Sequence, residues 1–139
     1  MSSRASNGVR FEDNVWLEAK FSSCTFDNVV MRKDYYHTCT FWNIVLTDCN
    51  AGRVSAEKSR FVGCKWENGI YSGSTFRKCD FLHLTVSHAS VGNMLFKDCV
   101  FRDTELEDVE FYNVIFKNCQ FGRMPEEMKG CKFIRCREL

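Results

Sequence analysis

The chain has 139 residues, 45% of them apolar and 27% charged, with 19 Lys and Arg against 18 Asp and Glu. That is one domain's length with enough apolar content to fill a core, and a formal charge of +1 sets up no field that would draw a nucleic acid or an anionic lipid surface. No apolar run reaches the length of a membrane span, so no membrane insertion is expected, and Met1 is not followed by a secretory signal pattern.

Met1 to Gly8 is polar and carries no periodicity, so residues 1–8 are expected to form a disordered lead-in. From Phe11 to Phe121 an apolar or aromatic residue, usually a bulky one, returns at every fifth position, through Trp16, Phe21, Phe26, Met31, Tyr36 and onward. A smaller side chain usually stands two residues before it, as Cys99 does before Phe101. Helices want apolar spacings of three and four, and half-buried strands want strict alternation, so this pattern fits neither. A chain that turns a corner every five residues does fit, because each short side sends its central residue and the residue two before it inward. Four such sides close a coil, and stacked coils give an all-β solenoid over residues 9–121, each segment pairing with its equivalents above and below.

One column sets the coil length: Phe21, Phe41, Phe61, Phe81, Phe101 and Phe121 recur at intervals of 20. Their rings are expected to stack as a structural ladder about 4.8 Å apart. The companion slots, Ala19, Cys39, Ser59, Cys79, Cys99 and Cys119, are small enough to leave the rings room. Seven of the nine cysteines occupy this kind of slot, so they are expected as packed, reduced thiols and not as a disulfide framework. With no Asn-x-Ser/Thr sequon present, that favours a cytoplasmic location, with a vesicle lumen or the extracellular space as the alternative. Volume is exchanged between neighbouring inward slots, as at Val54 and Ala56, so the coil is expected to be filled, with no interior pocket. Asn14 and Asp34 are polar residues in inward slots; Asn14 is expected in a frayed first coil and Asp34 bonded to corner amides. The position two after each beat residue is rich in Asp, Asn and Gly, which tolerate the corner geometry.

After Phe121 the register breaks at Gly122 to Gly130, which holds the single proline, and a loop or short capping helix is expected there. Cys131, Phe133 and Cys136 then restore the inward pattern. Residues 122–139 are therefore expected to blunt one open end of the solenoid, and a homodimer would form through that end.

His37, His83 and His88 fall on different sides of the coil while the cysteines face in, so no metal site is expected. Metalloprotease, phosphate-loop and nucleophile-elbow motifs are absent, so neither catalytic residues nor a cofactor is expected. The outer surface is left to carry a function. Trp42, Val62 and Leu82 share one outward slot in successive coils, an apolar stripe about 10 Å long. Nearby, Arg77, Lys97 and Lys117 share another, with Lys58, Lys78 and Arg60 around them. These six, Trp42, Val62, Leu82, Arg77, Lys97 and Lys117, are the candidate face for a protein partner, widened by an outward column of Val15, Tyr35, Leu95 and Ile115.

A five-residue beat centred on Phe or Leu, with a small residue two before it, resembles the pentapeptide-repeat family across nearly the whole chain. The resemblance implies a right-handed quadrilateral β-helix of five to six coils. It also implies a non-enzymatic module that binds other proteins through its outer surface, or, as in bacterial members, a duplex mimic that binds topoisomerases. The Phe-x-x-Cys-x-Phe units within Phe21–Phe41 and at Phe116–Phe121 resemble the luminal domain of the synaptic vesicle glycoprotein 2 transporters, which would imply a luminal receptor or adhesion domain.

Overall fold

In a computed structural model the structure describes residues 5–125 and 128–139. Every element among the described residues is a β-strand, most of them three residues long, and every pairing is parallel. The register steps by 20 residues, setting Phe21 beside Phe41, Phe41 beside Phe61 and Phe61 beside Phe81.

Four faces follow one another around each coil. Face 1 starts at Lys20–Ser22 and continues through Thr40–Trp42, Arg60–Val62, Asp80–Leu82, Val100–Arg102 and Gln120–Phe121 to Arg137–Glu138. Face 2 runs from Ala5–Asn7 to Glu105–Glu107, and face 3 from Arg10–Glu12 to the first half of Glu110–Lys117. Face 4 begins at Val15–Leu17 and ends at Cys131–Ile134. The longer strands Ser90–Lys97 and Glu110–Lys117 run through the corner between faces 3 and 4 and join these two into one sheet.

Corners explain the beat. Every fifth residue from Gly8 to Asn118 has a positive φ, between 49° and 68°. Asn, Asp and Gly suit that conformation, yet Glu18, Thr38, Lys58, Lys78, His83 and His88 adopt it as well. What holds them is the ladder between coils: the Thr38 N–H donates to the Glu57 carbonyl and the Lys58 N–H to that of Arg77, each at 3.0 Å.

Inside, the phenylalanines of face 1 stack with centroids 5.0, 4.7, 4.8, 4.7 and 5.2 Å apart and planes within 11° of parallel. A second ladder on face 4, Phe76, Phe96, Phe116 and Phe133, has the same step and meets the first edge to face, as Phe81 does Phe96 at 74°. Quadrupoles favour both arrangements, so each ring is fixed from above, below and the side.

The small inward slot does more than leave room. Most of the buried thiols share their one hydrogen between two backbone carbonyls, the corner one of which also accepts an N–H from the neighbouring coil: Cys99 reaches those of Phe76 and Lys97, both at 3.3 Å, and Cys119 those of Phe96 and Lys117 at 3.2 and 3.5 Å. Ser59 occupies the same column, donating to the Glu57 carbonyl at 3.1 Å and accepting the Cys39 N–H at 3.1 Å. Asp34 accepts the Asn14 N–H at 2.9 Å, the corner-amide bond expected of it. From this slot cysteine and serine donate to a carbonyl, while serine and aspartate accept an N–H, so a small polar or thiol side chain there serves the neighbouring backbone.

Two expectations need correction, and the loop-or-helix alternative at the C-terminal end is narrowed. Of the lead-in, residues 1–4 lie outside the described residues, but Ala5–Asn7 is a strand paired with Thr25–Asp27, because the ladder extends one side further than the apolar beat. The C-terminal segment shows no helix among its described residues: Cys131–Ile134 and Arg137–Glu138 pair with Glu110–Lys117 and Gln120–Phe121, in a last turn that advances 17 residues from Val114 to Cys131. Faces 4 and 1 thereby gain one more strand, while among the described residues faces 2 and 3 gain none. The interior is not completely filled either: a cavity of about 90 Å³ lies along the first half of the core, lined by aromatic rings and by Ala51 and Ala56. Two alanines at consecutive beat positions remove more volume than Val54 restores.

Candidate functional site

The outward residues of each strand form columns by the same register that builds the core. On face 1, Ser22, Trp42, Val62, Leu82 and Arg102 stand in one column. Trp42 is 54% exposed, while Val62 and Leu82 are half-buried. An indole held on a three-residue strand between two corners is a preorganised apolar anchor, with Val62 and Leu82 extending its contact over two further coils.

Arg77, Lys97 and Lys117 stand in register on face 4. The column continues the other way through Glu57 to His37. Arg77 lies 3.9 Å from a Glu57 carboxylate oxygen, and the Tyr35 hydroxyl donates to the other at 3.1 Å. The Tyr35 hydrogen bond first, and then Arg77, hold the Glu57 carboxyl below its ordinary range. Arg77 is thus partly answered within the chain, and Lys97 and Lys117 carry the positive column onward. The apolar and basic columns lie on adjacent faces, around the corner formed by the exposed Lys58 and Lys78, with Arg60 exposed on face 1. A partner touching both must wrap that corner.

The outward column of Val15, Tyr35, Leu95 and Ile115 is interrupted, because Ser55 and Thr75 stand between Tyr35 and Leu95. It is two separate patches. The first is larger than the sequence suggested, since Val15 and Leu17, at 67% and 65% exposure, bracket Trp16 on the first strand of face 4.

Register also assembles polar groups that sequence reasoning missed. A ligand atom from each of His88, Glu107 and Asp108 lies within 4.8 Å of the others, with His88 Nδ1 3.3 Å from Asp108 Oδ2. One corner earlier, His83 Nδ1 lies 3.5 Å from Asp103. The signal is present in the spacing, since residues 20 apart are neighbours in space and Asp103 and Asp108 stand 20 after His83 and His88. All three members of the first group are exposed, a geometry that could hold a cation weakly.

The thiols differ in acidity: hydrogen bonding with Cys99 lowers Cys79 and Cys119, against their burial. All nine are free thiols, and burial pushes Cys64 and Cys131 up to about 11. Cys99 is pushed up by its hydrogen bonds with Cys119 and Cys79 before burial adds to the effect. A thiol raised in this way stays neutral near pH 7 and packs as an apolar group.

No family model matches the chain, and no curated protein matches it. Among solved structures it is similar to Rfr23, a pentapeptide repeat protein from the cyanobacterium Cyanothece 51142, with a TM-score of 0.61 and 11% identity over 83% of this chain and 89% of that one. It is less similar to QnrB1, a plasmid-mediated fluoroquinolone resistance protein, with a TM-score of 0.40 and 10% identity over 99% of this chain and 90% of that one. HetL, a pentapeptide repeat protein from Nostoc sp. Strain PCC 7120, gives a TM-score of 0.27 and 8% identity over 100% of this chain and 88% of that one. The first of these carries the fold and nothing more. The resemblance to a transporter's luminal domain finds no support among them.

Proposed function

With the pentapeptide-repeat solenoid fold as premise, we propose that this chain is a non-enzymatic protein-binding scaffold whose contact surface is the Trp42, Val62 and Leu82 column. The observation that carries the proposal is Trp42 itself, a large aromatic side chain 54% exposed on a rigid strand and aligned with two further apolar residues. Buried aromatic anchors dominate protein interfaces, and here the scaffold has already fixed the anchor's position. Around the corner, Lys97 and Lys117 would meet acidic groups of the partner, raising the association rate more than the affinity. A duplex-mimicking surface needs continuous negative charge, and the Arg77, Lys97 and Lys117 column interrupts it.

The test places a photo-crosslinking residue at position 42 in the full chain, identifies the protein it captures and measures binding of that protein by titration. Trp42→Ser with Leu82→Ser should weaken binding about tenfold or more, equivalent to about 1.4 kcal/mol, with the strand content unchanged by circular dichroism. Unaltered affinity in a folded double variant would overturn the proposal.

A further inference from the structure

Faces 1 and 4 continue to the end of the chain, but among the described residues face 2 stops at Glu105–Glu107. The consequences are visible at this strand. Leu106 occupies an inward slot and is nevertheless 41% exposed, and the run from Thr104 to Asp108 is exposed throughout. Beneath it opens a cavity of about 860 Å³, floored by Trp66, Val86, Phe101 and Phe111 and walled by Met124 and Met128. One coil below, the Leu84 carbonyl accepts from Glu105 N–H and the His88 N–H donates to the Glu107 carbonyl. The residue that the register sets against the Asp108 N–H, 127, lies outside the described residues, while the one set against the Thr104 carbonyl is described. Pro125, 20 residues after Glu105, has no N–H to offer.

We infer that this edge is a second binding site, one that takes an extended segment of another protein as a further strand on Glu105–Glu107. The segment carries a single apolar side chain flanked on both sides by Lys or Arg. Its central residue would seat over Leu106 and enter the cavity, as every beat residue covers the one a coil below. Its two neighbours would stand over Glu105 and Glu107, both exposed and without a cationic partner among the described residues. Asp103, Asp108 and Glu110 make the surroundings more acidic, while Arg102 and Arg123 also line the cavity. Parallel strand addition supplies affinity through the main chain, and charges directly opposite decide which segment is accepted. A second copy meeting this edge with its own would oppose glutamate to glutamate, which disfavours self-pairing at face 2.

The experiment uses the full chain and two labelled decapeptides in a Ser/Thr background, one with a central Lys-Phe-Lys and one with Glu-Phe-Glu, titrated by fluorescence anisotropy. The Lys-flanked peptide should bind at least about tenfold more tightly, with a preference that shrinks as salt rises. Leu106→Asp should abolish binding, and Glu105→Lys with Glu107→Lys should reverse the preference while leaving the melting curve unchanged. Trp42→Ser with Leu82→Ser should leave peptide binding intact, which separates this site from the proposed outer face. Equal binding of the two peptides, indifference to the charge reversal, dimerisation of the chain through this edge, or no saturation at about 1 mM peptide would each overturn the inference.

Discussion

Faces 1 and 2 start from the same kind of residue and end differently. On face 1 the ladder reaches Phe121 under Arg137–Glu138, and Phe101 is 5% exposed. On face 2 the column of Phe26, Leu46, Trp66 and Val86 ends at Leu106, 41% exposed. Burial in this molecule is conferred by the next coil and not by the identity of the side chain. A closed face then contributes stability, while an open one leaves a surface.

The comparison breaks most visibly at the middle of the ladder. Phe81, 1% exposed and stacked on both sides, should cost about 3–5 kcal/mol in urea unfolding when changed to Ala, whereas Leu106→Ala should cost less than about 1 kcal/mol. A smaller effect sharpens what the inward slot requires. Cys99→Ala removes the one thiol hydrogen shared between the Phe76 and Lys97 carbonyls and should cost about 1 kcal/mol, while Cys99→Ser, imitating Ser59, should cost clearly less. At the corners, Thr38 is a β-branched residue at φ 53°, and Thr38→Asn should stabilise by up to about 1 kcal/mol in the same assay.

The smallest effect depends on pH. Burial raises the Asp34 carboxyl above its ordinary value, against the pull of its bond from Asn14, so the folded state favours the protonated form. That contribution is fully present below the unfolded carboxyl's value of about 3.9 and is lost as pH rises through the raised folded value. Asp34→Asn keeps an oxygen for the Asn14 N–H and has no charge to bury. Its melting temperature should match the parent's near pH 3 and exceed it at neutral pH; a constant gap would mean that Asp34 does not titrate with folding.

What the sequence made legible was whatever repeats. Phe21 to Phe121 set the coil length and the inward slots because an identical environment recurs at every coil. The corners were less legible: Glu18, Lys58 and Lys78 tolerate a positive φ only because an adjacent coil holds their N–H, which no local propensity reports. The thiol-to-carbonyl bonds were hidden because cysteine also reads as a small apolar residue. The last turn was illegible in detail, since it advances 17 residues without a periodic signal, and with it went the exposure of Leu106. The Trp42 column was visible from spacing alone, but the turn of the corner separating it from Lys97 and Lys117 emerged only with the four faces in place.

The division of labour between inward and outward columns is tested most directly by one paired measurement: a photo-crosslinker at position 42, on face 1, and the same group at position 32, an exposed site on face 3. Position 42 should capture a discrete protein and position 32 should not, with both variants melting like the parent. Equal capture at the two positions, or a fall in melting temperature at position 42, would contradict a recognition surface centred on Trp42.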